Sequence, residues 1–206
     1  MKTVSRTTPF QSTGGLKRGI SVIVPVWGEY HKYLTECLNS IRSQTYKEYD
    51  IIVIDDEKDL PTARNKGIKM AMREWIMILD VDNLLTPHYL EKTIGRGDIV
   101  TTYHQFFGDS NQIFQQGTPT IENFQRGNQI DANALFRKSV WDTVGGYDEQ
   151  MTEGWEDYDF WYRCLKAGYE FTIIPEPLLL YRKHGETMSV TAGRKSQELI
   201  NYILNK

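Results

Sequence analysis

The stretch WIMILDVDNLL, residues 75–85, joins five apolar residues to two carboxylates one position apart, Asp80 and Asp82. An apolar run this short, bounded by turn-forming Asp and Asn, reads as a buried strand. Burying charge is costly unless it is paired or bound to a cation, so the carboxylates belong at the strand's end. Two similar runs lie upstream. ISVIVPV (20–26) is rich in β-branched residues and suits a strand covered on both faces, and YDIIVIDD (49–56) again ends in paired acids.

Between these strands the spacing turns helical. Residues 29–43 carry Tyr33, Leu34, Cys37, Leu38 and Ile41 on one face, Pro61 opens a helix over 61–73, and Pro87 opens another through 94. Strand–helix alternation of this kind predicts an α/β fold, a Rossmann-like and mostly parallel open sheet with flanking helices. Ligands bind such sheets beyond the carboxyl ends of the strands. All three strands end there in unusual residues: Pro25-Val26-Trp27, Asp55-Asp56 and Asp80-Val81-Asp82.

The second half reads as mixed. Strands are expected over 98–103, 130–136, 169–174 and 178–182. Helices are expected over 137–144, stopped by Gly145-Gly146, over 156–167, and over 197–204. Residues 103–129 form a long polar and aromatic segment, of the kind that is usually functional when it occurs in a compact domain. The division expected is a flexible tail over 1–18, rich in Ser, Thr, Gly and Pro, and one domain over 19–206.

Composition bounds the function. The 206 residues are 40% hydrophobic and 25% charged, an ordinary globular balance, and the net charge of -3 gives no general affinity for nucleic acid or anionic membrane. No apolar run approaches the roughly 18 residues of a membrane helix, and the first residues lack the apolar core of a signal peptide. Cys37 and Cys164 lie far apart, each in a helical pattern, and read as buried reduced thiols. The expectation is a soluble cytoplasmic protein with no integral membrane segment.

Asp80 and Asp82 at the sheet's ligand edge read as a clamp for a hard divalent cation, Mn²⁺ or Mg²⁺, which takes one or two carboxylates and completes its sphere with phosphate and water. A solvated Asp-Asn turn is the alternative. Downstream, Asp157 shares the face of Phe160 and Trp161 on the expected helix, placing a carboxylate toward the core side where it could act as a general base. Glu153, Glu156 and Asp159 fall on other faces and read as partners of the helix dipole.

In order, SVIVPVWGEYHKYLTECLNSIRSQTY, IIVIDD, ARNKGI, ILDVDN, GGYDE, GWEDYDFWYRCLKAG and YRKHGETMS resemble the family 2 glycosyltransferases, over about residues 20–189. That resemblance implies the GT-A fold, one catalytic domain over 19–206 with a nucleotide-binding half (19–97) and an acceptor-binding half (98–206), and an inverting, metal-dependent transfer from a nucleoside-diphosphate sugar, with UDP the expected nucleotide. By the same resemblance Pro25, Val26, Trp27, Asp55 or Asp56 would line the nucleotide pocket, and Arg64 would help hold the nucleotide. Asp82 would serve chiefly the metal, with Asp80 near the ribose or donor sugar. Asp157 would be the base with Glu156 its neighbour, His184 would approach metal or diphosphate, and Trp155 would stack on a sugar or pack in the core.

Two departures fall on the nucleotide side: DDEKD replaces the family's DDGS, and the segment between Asp56 and ARN is short. The Q-x-x-R-W motif of processive members is absent, so a single-sugar transfer is expected. The acceptor is left open among a saccharide, a lipid-linked sugar, a protein and a modified nucleic acid. The rival functions are a nucleotidyltransferase, poorly served by the single Gly and Lys of PVWGEYHK, and a non-catalytic nucleotide-sugar binding module. No G-x-G-x-x-G follows a strand and no HExxH or Cys-based zinc pattern occurs.

Overall fold

The computed structural model describes residues 15–55, 57–125, 127, 129–185 and 196–204. Its first strand, β1 (Lys17–Pro25), is buried from Gly19 onward and lies between β2 (Tyr49–Ile54) and β3 (Arg73–Ile78), parallel to both. β1 therefore begins inside the stretch expected to be a tail; residues 1–14 lie outside the described chain. Alternate side chains of β1 feed two cores. Ile23 packs with Ile68, Ile76 and Ile78 on one face, and Ile20, Val22 and Val24 pack with Cys37 and Ile41 on the other.

The helices follow that division. α1 (Leu34–Arg42) and α3 (Tyr89–Thr93) cover the second face. α2 (Leu60–Met70), α5 (Lys138–Val144), α6 (Glu156–Lys166) and α7 (Ser196–Leu204) contribute to the first. α2 is capped by Asp59, whose carboxylate accepts from the Thr62 N–H at 2.9 Å, with Pro61 in the first turn. It lies so close to β1 that a Cβ built on Gly67 would stand 2.4 Å from Ile23 Cγ2. Only glycine fits there.

The full sheet has eight strands in the order β2-β1-β3-β7-β5-β8-β4, with β6 (Ile113–Phe114) hairpinned onto β5 (Ile99–Gly108). β7 (Leu135–Arg137) is antiparallel to both β3 and β5, while β5 and β8 (Phe171–Lys183) run parallel. Two-residue β4 (Leu84–Leu85) closes the order, antiparallel to β8. The parallel nucleotide half and mixed second half thus form one open α/β sheet.

Several boundaries depart from expectation for physical reasons. The strands expected over 169–174 and 178–182 merge into one, β8, which starts only at Phe171; Pro175 and Pro177 bring a register shift against Thr102–His104 without ending it. The expected helix over 29–43 begins as a 3-10 turn, Gly28–Tyr33, and only then becomes α1. No side chain caps either start, so tight bonds such as Tyr30 N–H to the Trp27 carbonyl (3.2 Å) take the place of caps. The strand expected over 130–136 shrinks to β7 because Asp131 accepts the Asn133 N–H (2.8 Å), a local turn that competes with pairing. α5 ends as expected, on Gly145 in the left-handed region at φ 81°. A short helix, α4 (Ile121–Phe124), capped by Thr120, occupies part of the long polar segment.

Candidate active-site cleft

The carboxyl ends of β1 and β3, the N-terminus of α6 and the end of β8 surround a cleft of about 300 Å³. Its walls include Pro25, Trp27, Arg64, Asp80, Asp82 and Asp157. Asp80 and Asp82 sit on a turn closed by the Asn83 N–H to the Asp80 carbonyl (2.9 Å). The D-x-D residues thus form a turn, as one reading expected, and both line the cleft.

Asp80 is held on all sides. Its N–H donates to Asn133 Oδ1 (2.8 Å), Asn133 Nδ2 donates to its Oδ2 (3.1 Å), and Arg64 Nη2 donates to its Oδ1 (2.9 Å). Arg64 is 2% exposed, and its Nη1 pairs with Glu156, itself 5% exposed along the side chain. Burial alone would push the guanidinium's pKa down; the charges of Asp80 and Glu156 outweigh that and hold it above its ordinary value. The Tyr147 ring lies 5.5 Å from the same guanidinium. Arg64 thus braces Asp80 from beneath, with two of its nitrogens already committed to carboxylates.

Asp82 is placed differently. Its Oδ2 lies 3.1 Å from His184 Nε2. Burial first, and Asp80 second, raise its pKa, with His184 opposing. The end of β8 is tied to the same turn: the Arg182 N–H donates to Asn83 Oδ1 (3.0 Å) and Arg182 Nε to the Asp82 carbonyl (2.9 Å). Tyr30 and Tyr33 flank His184, with ring centroids 6.0 and 5.6 Å away.

The donor set fits a hard cation bound through a substrate. Among the described residues no group of three or more His, Cys, Asp or Glu side chains could hold a metal by itself. Asp80's oxygens each accept a hydrogen bond, from Arg64 and Asn133, and Asp82 with His184 beside it are the side chains that could contribute ligands. One or two protein ligands, with phosphate and water completing the shell, is how Mg²⁺ is commonly held in phosphate sites.

At the opposite wall, α6 starts on Trp155, which has φ 67°, the one non-glycine residue among those described with positive φ. Such a conformation typically costs about 1–3 kcal/mol and persists where packing enforces it. Trp155 lines the cleft while its ring meets Tyr158 edge-on at 5.3 Å and packs against the core. The next two residues divide the work. Glu156 is buried on Arg64, whereas Asp157 is partly buried and borders the cleft. Burial, then the charge of Glu156, raise the Asp157 carboxyl to about 7.

The faces of α6 expected for its acids need correction. Glu156 and Asp159 do lie in its first turn, but both are buried rather than solvated. Asp159 is bound by Arg163, with Nη2 2.6 Å from Oδ2, and Arg163 in turn donates to the Gly146 carbonyl (2.6 Å). Of the residues expected around the nucleotide, Pro25 and Trp27 line the cleft. Val26 is 2% exposed and belongs to the core, and Asp55 is exposed at the end of β2 outside the cleft lining. Asp56 lies outside the described residues.

Sequence reasoning missed Asn133 and Asp131, whose only local signal is the turn-forming DAN triplet, and gave no role to Tyr30, Tyr181 and Arg182, although they lie inside the quoted motifs. It also missed Asn65. That side chain receives Trp141 Nε1 and the Tyr147 N–H, both at 2.9 Å, and donates to the Tyr147 carbonyl (2.8 Å) and Glu149 (2.9 Å). It staples α2, and so Arg64, to the GGYDE loop.

Residues 21–61 and 57–145 match the model of glycosyl transferase family 2, and residues 112–202 match that of a glycosyltransferase-like family 2. An uncharacterized glycosyltransferase of Methanocaldococcus jannaschii, MJ1057, is 26% identical over 79% of this chain and 70% of its own length. YwdF of Bacillus subtilis, also an uncharacterized glycosyltransferase, is 24% identical over 91% of this chain and 83% of its own. Among solved structures, Staphylococcus aureus TarS 1-349 in complex with UDP-GlcNAc superposes with TM-score 0.69 at 18% identity, covering 82% of this chain. The chain spans 60% of that structure, and another relative, y4gI of Sinorhizobium fredii, is matched over only 24% of its length. Matched by its family model over more than half its length, on an open α/β sheet of the GT-A type, the chain belongs to glycosyl transferase family 2.

Proposed function

We propose that this protein transfers one sugar from a UDP-linked donor to an acceptor hydroxyl with inversion, using Mn²⁺ or Mg²⁺ and Asp157 as general base. The observation that carries the reading is the separation of two kinds of carboxylate across one cleft. Asp82, beside His184, is suited to a cation, and Asp157, on another wall, has its pKa raised to about 7. A base poised near neutral pH is what proton abstraction from a hydroxyl needs.

In this mechanism the donor lies across the sheet edge, with its nucleotide toward Pro25, Trp27 and Tyr30 in the 19–97 half. Asp82 and His184 would hold the cation, which when bound neutralises charge on the diphosphate leaving group. Asp157 takes the acceptor proton as the acceptor oxygen bonds to the anomeric carbon and the carbon–phosphate-oxygen bond breaks on the far side. Arg64 acts by fixing Asp80, not by gripping the nucleotide. The acceptor enters from the 98–206 half. UDP as the nucleotide is supported by the TarS structures that carry UDP-GlcNAc or UDP.

No described helix is long and apolar enough to cross a membrane. Both cysteines are free and buried, with thiols pushed up to about 12 by burial.

The test is thermal melting with UDP and UDP-sugars, with and without Mn²⁺, on the wild type and Asp82→Asn. The reading expects stabilisation that grows with ligand concentration, depends on Mn²⁺, and is lost in the variant. Stabilisation indifferent to the metal would remove Asp82 and His184 from the role, and donor binding without turnover on any acceptor would favour a binding module.

A further inference from the structure

A second recess of about 220 Å³ adjoins the cleft and shares two of its walls, Asp131 and Tyr181. It lies under the β5–β6 hairpin. Phe106 and Phe114 stack there with centroids 5.8 Å apart and planes at 11°, and Tyr181 tilts against Phe106 at 5.7 Å. His104, 2% exposed, is sandwiched beside Tyr181 and held by Gln116 Nε2 (2.8 Å) and Asp131 (3.3 Å). Lys183 closes the rim, with Nζ 4.3 Å from the Phe106 centroid and 4.6 Å from that of Tyr181. At its mouth Phe114 is 45% exposed.

From this arrangement, and resting on the donor reading above, we infer that the recess is the acceptor subsite and that the acceptor is a saccharide. One sugar ring lies with its C–H face on the Phe106–Phe114 pair and its hydroxyl edge toward Asp131. Aromatic faces interleaved with an imidazole, an amide, a carboxylate and an ammonium match a ligand that is apolar on its faces and polar around its edge. An alkyl chain would cover the Lys183 ammonium without giving it an acceptor, at a desolvation cost. A serine or threonine hydroxyl needs no aromatic floor and no recess of this size. The shared wall supplies the direction: a ring seated here extends through Asp131 into the cleft that Asp157 borders.

Asp131 also joins the two spaces through hydrogen bonds. Its Oδ1 accepts from the Asn133 N–H and Nδ2 (2.8 and 3.2 Å), and Asn133 holds Asp80. The recess and the donor cleft therefore share one polar scaffold.

The experiment is saturation-transfer NMR on the full chain with methyl glucopyranoside, methyl galactopyranoside and methyl N-acetylglucosaminide as probes, each with and without UDP and Mn²⁺. Calorimetry of UDP binding runs in parallel. Phe114→Ala removes the exposed half of the aromatic floor from a two-residue edge strand, and Ile113→Ala, 52% exposed on the same strand but outside the recess, is the control. The expected result is binding of at least one pyranoside by the wild type. Phe114→Ala should weaken it about threefold to tenfold, Ile113→Ala should leave it unchanged, and UDP affinity should stay within about twofold in both. A wild type that binds UDP but no pyranoside, or pyranoside binding untouched by Phe114→Ala, overturns the inference. Failure of UDP to bind brings down the donor reading and leaves the recess judged by the UDP-free spectra.

Discussion

Replacing Arg64 with Met removes a buried cation from between two carboxylates while keeping most of its apolar volume. The two arms are unequal. Asp80 is 28% exposed along its side chain, so water screens that charge, and its loss counts as about 1 kcal/mol or less. Glu156 is 5% exposed and faces an Arg64 that is 2% exposed, so stranding it falls in the class of broken buried pairs, at about 3 kcal/mol or somewhat more. For a chain of this size that corresponds to a melting temperature lowered by about 6–12 °C.

The assay is urea unfolding followed by circular dichroism at pH 7, with Arg64→Met, Glu156→Gln and the double variant compared. If the penalty comes from an uncompensated charge, the double variant should recover at least half of the stability lost in Arg64→Met. Activity should not return, because Asp80 would still lack its brace. An Arg64→Met protein within about 1 kcal/mol of wild type, or a double variant weaker than the single, would refute the reasoning.

Asp157→Asn should lower kcat/KM by about 10²–10⁴-fold with UDP affinity retained, and near-wild-type turnover would remove it from the base role. Because burial and Glu156 raise this carboxyl to about 7, wild-type kcat/KM should rise with pH up to about 7 and level off above it; a profile already flat from pH 5 would contradict that. Stability carries the opposite sign. The folded chain keeps a proton that the unfolded chain releases near the ordinary value of 3.8, so this contribution is whole at low pH and lost as pH rises through 7, a trend that Asp157→Asn should flatten in urea titrations. Asn65→Ala leaves the Tyr147 N–H and carbonyl without their buried partner and should cost about 2–4 kcal/mol in urea unfolding.

The parallel half was legible because its physics is local. β-branched runs such as 20–26 are buried on both faces, and Asp80 and Asp82, which directly follow the third run, lie where a sheet binds ligands. Spacing set Asp157 on the inward face with Phe160 and Trp161; it is only partly buried and lines the cleft. What escaped depends on contacts across long stretches of chain. Glu156 read as a partner of the helix dipole because nothing near it in sequence announces Arg64, 92 residues earlier. Asn133 fell inside an expected strand but belongs to a turn, and its second task on Asp80 spans 53 residues. Val26 was grouped with its neighbours Pro25 and Trp27 although alternation along a strand sends it the other way, into the core. The continuity of β8 through two prolines was hidden by a rule that usually ends strands at such residues.

The missing side chain at Gly67 reaches further than packing. It lies three residues after Arg64 on the same helix, and the depth to which that helix nests on Ile23 sets the height of the guanidinium under the cleft. A single methyl group added there would lift the charged floor of the site by a fraction of an ångström to an ångström, a displacement of the size that can slow a reaction about a hundredfold. Selection on catalysis would then act on a position that touches neither nucleotide nor sugar, and a screen for lost activity would recover it among the acids.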